Sequence, residues 1–296
     1  NLTPLWLLKF LPNMLACHVT IIHDAQGPSN TITCSEASAM LSIGESLRVI
    51  QRGWADASFC GGAEDKLNPM AYLRQQFAGV LNTTGNDDPG KALRPFDQGA
   101  AGTVIGQGGG IVILEALETF EKRRKAAGGD GAAPRAYAEV VGFGASQSVH
   151  LPQRNLKPDP NGRGIALAIR AALRDAKLEP DAIDLIIPFG SGVPECDQAE
   201  AAAIFSVFGP KAKAIPVTPI KPMTGNAFAG AGGIDACIAA KAIAEQTIPA
   251  VINCDAPLDG LNVNNGPARG AKLQHVLTFS SSFGGQNAAL VLKRFE

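Results

Sequence analysis

A layered α/β fold made of two similar halves is what this sequence predicts, and three observations carry the prediction. Strand-like and helix-like segments alternate along the chain. The same alternation starts again after residue 136. Between the two stretches lies KRRKAAGGDGAAPRA (122–136), a charged linker rich in Gly and Ala. With 296 residues, 46% of them hydrophobic, the chain can fill two cores. The boundary is placed at residue 134, giving halves 1–134 and 135–296.

The first 22 residues, NLTPLWLLKFLPNMLACHVTII, are apolar but interrupted by Pro4 and Pro12. They form no membrane span, and they lack the basic start and small-residue cleavage site of a signal peptide. They read as the interior of a fold, with chain expected upstream. Gly27-Pro28 marks a turn, Asn30 to Cys34 a short strand, and Met40, Ile43, Leu47 and Ile50 a helix from Ser35 to about Arg52, closed by Gly53. Ala57 to Cys60 is expected as a buried strand ending at Gly61-Gly62, residues 82–104 as a long surface loop, and Ile105 to Leu117 as strand.

In the second half, Tyr137 to Gly144 reads as a strand, Gly164 to Lys177 as a helix with Ile165, Leu167, Ile169 and Leu173, and Asp184 to Pro188 as a buried strand. Further strands are expected at 215–218, 249–253, 273–279 and 288–293, with a helix over about Gly232 to Glu245. GTVIGQGGG (102–110) imitates a phosphate-binding loop. It lacks the strand-loop-helix setting and the lysine of one, so it reads as close-packed backbone and no cofactor is expected.

Charge and cysteine content narrow the function. Twenty-six Lys and Arg against 27 Asp and Glu leave a net charge of −1, so there is no basic field for a nucleic-acid backbone. The cysteines at 17, 34, 60, 196, 237 and 254 form no CxxC pair and have no histidine at metal-ligand spacing, so no metal is expected. They suit a reducing compartment, and a cytoplasmic location is the expectation. His18, His23, His150 and His275 read as structural or exposed.

The segment TITCSEAS (31–38) holds the first candidate site. A strand feeding directly into a helix would place Glu36 at a helix N-terminus, where free N–H groups favour an anion and enzymes activate a thiolate. Together with GPSNTITCSEAS (27–38), the segments CGGAED (60–65), NDDPGKALRPFDQGAAGTVIGQGGGIVILE (86–115), IIPFGSGVPECDQAE (186–200), PIKPMTGNAFAGAGGID (219–235) and SSSFGGQNAALVL (280–292) resemble the β-ketoacyl synthases, in order and over essentially the whole chain. These are the condensing enzymes of fatty-acid and polyketide synthesis.

The resemblance implies a thiolase-like layered fold, a dimer and acyltransferase chemistry of the 3-oxoacyl synthase type. It also implies a Cys-His-His triad, from which this chain departs. The nucleophile position holds Glu36, the histidine of H-G-T-x-T-x-x-N-D is Phe189, and the histidine of K-x-x-T-G-H is Asn226. Around them Lys221, Asp197 and Glu200 match family positions, Asp235 stands where glutamate is usual, and Phe283 matches the phenylalanine that gates the acyl pocket. The family's usual first strand and helices have no counterpart, so part of the N-terminal domain is expected to be absent.

A carboxylate attacking a thioester would give a labile mixed anhydride, and phenylalanine can neither donate a hydrogen bond nor move a proton. Two functions stay open. One is a non-catalytic homologue that pairs with an active ketosynthase and shapes its acyl pocket, as chain-length factors do, their nucleophile commonly replaced by glutamine. The other is an enzyme acting on acyl thioesters with Glu36 and Lys221 as acid and base. Structurally, Glu36 is expected to pair with Lys221, and Cys34 to be a small buried core residue. Dimerisation would use the strand at about Ser29 to Thr33, with a ketosynthase or a second copy as mate; an acyl carrier protein is a further candidate partner.

Overall fold

The computed structural model describes residues 5–127, 134–148 and 158–296. Up to residue 127 the chain forms α1 (Met14–Ile22), α2 (Ser38–Gln51), β1 (Ala57–Asp65), α3 (Pro69–Phe77), β2 (Gln107–Glu115) and α4 (Leu117–Ala126). From residue 134 it forms β3 (Glu139–Gln147), α5 (Arg163–Ala176), β4 (Leu185–Ile187), α6 (Pro194–Phe208), α7 (Lys221–Thr224), α8 (Ala231–Glu245), β5 (Thr247–Ile248), β6 (Arg269–Gly270), β7 (His275–Ser281) and β8 (Gln286–Lys293). His150 lies outside the described residues, as does part of the linker.

The elements stack in layers. The larger sheet runs β3-β8-β7-β4, antiparallel except where β4 joins β7 in parallel. Its central strands, β7 and β8, are buried on both faces, with 276–280 and 287–292 showing no alternation of buried and exposed positions. One face is covered by α5 and α6, through a core that includes Ile169, Ile204, Leu277 and Phe279. The other packs on α2 and α8, through Met40, Ile43, Leu185, Ile243 and Leu290. Beyond α2 and α8 lies the β1–β2 ribbon, whose inward residues Cys60, Val112 and Leu114 join this second core. Its outward residues Phe59, Ile111 and Ile113 are exposed, with the His23 ring 5.0 Å from that of Phe59.

Helix ends follow local chemistry. Gly53 takes φ +70 just after α2, and Lys177 takes φ 56 after α5, where the Leu178 N–H closes back on the Leu173 carbonyl. The half-buried Arg48–Asp175 contact ties the two stretches together: the guanidinium reaches Asp175 Oδ2 at 2.7 Å, and the same oxygen accepts the Phe143 N–H at 2.9 Å.

Several expectations need correction. Residues 30–34 form no strand: with no neighbouring strand to share its N–H and C=O groups, the segment stays irregular, its residues exposed or half-buried. β1 runs on through Gly61-Gly62 to Asp65, and within it Cys60 alone is fully buried. Loop 82–104 is not purely superficial, for Leu93, Phe96, Asp97 and Thr103 are buried. The expected strands at 215–218 and 249–253 reduce to single bridges, Ile186 with Val217 and Val251 with Gly266. Leu117 opens α4 and does not prolong β2.

The glycine-rich run does act as close-packed backbone. A Cβ on Gly110 would lie 2.2 Å from the carbonyl carbon of Gly233, so β2 and α8 touch backbone to backbone. Gly110→Ala should therefore destabilise the protein by about 1–3 kcal/mol through overpacking, read as a lower chemical-denaturation midpoint. Gly266→Ala, where an added Cβ meets nothing within 4 Å, should stay within about 0.5 kcal/mol.

Candidate functional site

Glu36 sits in a 3-10 turn, Ser35–Ala37, immediately before α2. Ser35 holds the left-handed φ of 49, an unusual conformation for a non-glycine residue that turns the chain sharply into the helix. The Ser38 hydroxyl clasps this turn, accepting the Cys34 N–H at 2.8 Å and donating to the Ser35 carbonyl at 2.7 Å. The Glu36 side chain is 0% exposed, and neither of its oxygens has a hydrogen-bond partner. Burial raises its pKa above the ordinary carboxylate value. Its own N–H and the Ser35 hydroxyl approach without reaching bonding geometry and, with Lys66, offset this only in part.

The expected Glu36–Lys221 pair is absent. Lys221, 1% exposed, reaches Asp235 Oδ2 at 3.2 Å, donates to the Phe189 carbonyl, and lies 4.2 Å from the centre of the Phe189 ring. The physical reason is competition for one cation: Asp235 stands one turn inside α8, facing the start of α7, and a buried ammonium takes the nearest buried carboxylate. Asp235 itself is pushed up to about 6 by burial, with Lys221 pulling the other way.

Asp197 and Glu200 lie three residues apart on α6 and so share a face of that helix. Both grip backbone N–H groups. Asp197 Oδ2 accepts from Phe96 at 2.9 Å, its Oδ1 from Gly192 at 3.2 Å, and Glu200 from Gly190 at 3.0 Å. The two acids thus hold the loop that carries Phe189. Burial pushes Asp197 up to about 7, its backbone donors notwithstanding, and raises Glu200 well above its usual range, with the Asp197 charge adding to the effect.

Asn226 is fully buried, its backbone bonded to the Val104 carbonyl and the Gly106 N–H. Its Oδ1 accepts the N–H of Phe228 at 3.0 Å, holding Phe228 at a left-handed φ of 46, while Nδ2 has no partner. The turn Phe228–Gly230 packs against Ser35–Ala37. Lys66 completes this corner: it pairs with Glu64, lies 4.3 Å from the centre of the Phe228 ring, and is the cation that acts on Glu36. Glu64 in turn accepts the Ala229 N–H at 2.9 Å. Sequence reading missed the Glu64–Lys66 pair, although it directly continues the CGGAED motif.

Elsewhere, Phe283 is partly exposed in the turn between β7 and β8. Cys34 is half-buried, not a core residue, because the irregular segment before it leaves one side open. His18 is exposed, and His275 approaches the Ala182 carbonyl at 3.2 Å. No helix among the described residues is long and apolar enough to cross a membrane.

Comparison with known proteins places this geometry. The Beta-ketoacyl synthase, N-terminal domain family matches residues 2–119, and the Beta-ketoacyl synthase, C-terminal domain family matches residues 137–255. The N-terminal domain is therefore represented in the chain, which spans about two thirds of the length of the curated relatives it matches. A 3-oxoacyl-[acyl-carrier-protein] synthase 2 of Coxiella burnetii is 34% identical over 297 residues, 99% of this chain and 68% of that protein. The structure of the ishigamide ketosynthase/chain length factor superposes with a TM-score of 0.87 at 30% identity, over 100% of this chain and 68% of that one. A type II PKS acyl-carrier protein in complex with its ketosynthase gives a TM-score of 0.88 at 26% identity, over 97% and 68%.

Two outcomes follow from the buried network. Asp235→Ala strands Lys221 without its carboxylate and should cost about 3–5 kcal/mol of stability in chemical denaturation. The pH dependence has a definite sign. Asp197 keeps its proton to about pH 7 in the folded state, whereas the unfolded chain releases it near pH 4, taking roughly the free value. Folded protein then binds more protons across that window, so the Asp197 contribution is greatest in acid and falls as pH rises from about 4 to 7. Asp197→Asn should remove this fall from the stability profile, read as the difference between the two denaturation curves at each pH.

Proposed function

As the chain belongs to the β-ketoacyl synthase family, we propose that it keeps that family's pocket without the condensing reaction, and pairs with an active ketosynthase whose acyl pocket it shapes. The carrying observation is the isolation of Glu36. A nucleophile must be charged or be activated by a base, and here desolvation favours the neutral acid while no base contacts it. Phe189, at the first histidine position of the resemblance, offers Lys221 a ring and a carbonyl but moves no proton. Asn226, at the second, is a hydrogen-bond donor only through Nδ2.

The partner role is supported by the segment before Glu36. Residues 29–33 are irregular and largely exposed, which suits a strand completed by a second subunit. The similarity to the ishigamide ketosynthase/chain length factor supports the same reading. We place the division between the halves at 134/135, since the N-terminal match ends at 119 and the C-terminal one starts at 137. The alternative, an enzyme using Glu36 and Lys221 as acid and base, is disfavoured because Lys221 is committed to Asp235 and the Phe189 carbonyl.

Co-expression with an intact Cys-His-His ketosynthase tests the proposal. The expected result is one co-eluting complex in which Glu36→Gln leaves product formation within about two-fold, and mass spectrometry finds acyl groups on the partner cysteine alone. Turnover of an acyl thioester by this chain on its own would overturn it.

A further inference from the structure

A cavity of about 160 Å³ opens between the start of α6 and the loop that leads into β2. Two carboxylates from different elements line it: Asp97, 4% exposed, and Asp197, 1% exposed. Its walls are fixed by backbone bonds, the Gln98 N–H to the Ala256 carbonyl at 2.8 Å and the Leu258 N–H to the Phe96 carbonyl at 2.8 Å. Asp97 Oδ1 accepts the Gly99 N–H at 2.7 Å and the Arg94 Nε–H at 3.2 Å, while its Oδ2 accepts the Ala256 N–H at 2.8 Å. Asp197 Oδ2 likewise accepts one donor, the Phe96 N–H. A carboxylate oxygen can take two donors, so each aspartate keeps an acceptor position in reserve. Positive charge is scarce here. Arg94 is divided between Asp97 and Asp255, and Lys221 is paired with Asp235, so among the described residues Asp197 has no cation. The remaining lining is apolar at Ala100, Pro194 and Leu258, with the amides of Gln98 and Gln198 beside it. Gln98 spends its amide N–H on the Pro257 carbonyl at 3.3 Å, which leaves its amide oxygen to accept.

We propose that this cavity binds a small organic cation, an ammonium or guanidinium head group on a short alkyl stem, with Asp97 and Asp197 at the head and the apolar wall along the stem. Charge excludes the opposite class: an anion here would meet two buried carboxylates and lose its solvation. Size and lining exclude a bare metal ion. The volume is close to that of an engineered cavity of about 150 Å³ that takes up benzene, and a hard ion such as Ca²⁺ requires about six to eight oxygen ligands. Two reserve carboxylate positions and the glutamine amides fall short of that number, and carbon-rich side chains make up much of the wall. An ammonium or guanidinium carries N–H donors alone, which suits a site whose unused groups are acceptors. It also supplies the charge that Asp197 lacks, in a setting where a buried carboxylate without a counter-charge is costly. The proposed pairing with a ketosynthase is neither required nor prevented by such a ligand.

Calorimetric titration of the full chain with butylammonium, butylguanidinium, 1-butanol, butyrate and potassium ion tests the site. One of the two organic cations, or both, should bind, and the tighter of them identifies the head group. The isosteric 1-butanol and the anion butyrate should each be at least ten-fold weaker. Gln198→Lys, at an exposed position of the lining, tethers a competing ammonium there and should cut cation affinity ten-fold or more while the melting temperature holds. Gln198→Glu should tighten cation binding by about two-fold or more, a gain that a merely structural position would not give. Ala100→Leu narrows the cavity without altering a charge and should lose as much affinity as Gln198→Lys. The inference is overturned if neither organic cation binds, or if 1-butanol or potassium ion binds as tightly as they do. Unchanged cation affinity in both Gln198→Lys and Ala100→Leu overturns it as well.

Discussion

One buried ammonium organises the interior of this protein. Among the described residues, Lys221 is the single cation of five ionisable groups that are no more than 1% exposed, the others being Glu36, Asp197, Glu200 and Asp235. A lone charge in that environment is untenable, so Lys221 is fixed by Asp235, by the Phe189 carbonyl and by the Phe189 ring together. In being fixed, it sets the position of the loop at 189–193 against the start of α7. The carboxylates of α6 hold the same loop from the other side through the N–H groups of Gly190 and Gly192.

The character of the Glu36 site follows from that commitment. A cation shared with Glu36 would have made it a carboxylate, and hence a base or an electrostatic anchor. With Lys221 taken, the remaining influence is Lys66, half spent on Glu64 and lying over the Phe228 ring. Desolvation then dominates and favours the protonated acid. Glu36 itself is thus left outside any ion pair, with its carboxyl favoured in the neutral form.

The layered packing holds these parts at close range. The turn with Glu36 leads into α2, the turn with Phe228 leads into α8, and the two helices lie side by side between the sheets. Backbone contact between Gly110 and Gly233 draws β2 against α8. The β1 end that carries Glu64 and Lys66 is thereby brought to the same corner. The left-handed conformations of Ser35 and Phe228 are the strain that these two tight entries impose.

By itself the sequence determined the alternation of strands and helices, the existence of strands β7 and β8, and the close-packed glycine run. These are local properties: periodicity, turn chemistry and motif order survive in one dimension. It also marked Asp197, Glu200, Lys221 and Asp235 as members of one pocket through their motifs. The tertiary structure alone decided who pairs with whom. Sequence spacing could not tell that Lys221 would choose Asp235 over Glu36, because that choice depends on which carboxylate the start of α7 faces across the core. Nor could it show that 30–34 lacks a strand, since a strand exists only where a neighbour supplies its hydrogen bonds. The same holds for the Glu64–Lys66 pair, which matters only because β1 ends beside the Phe228 turn.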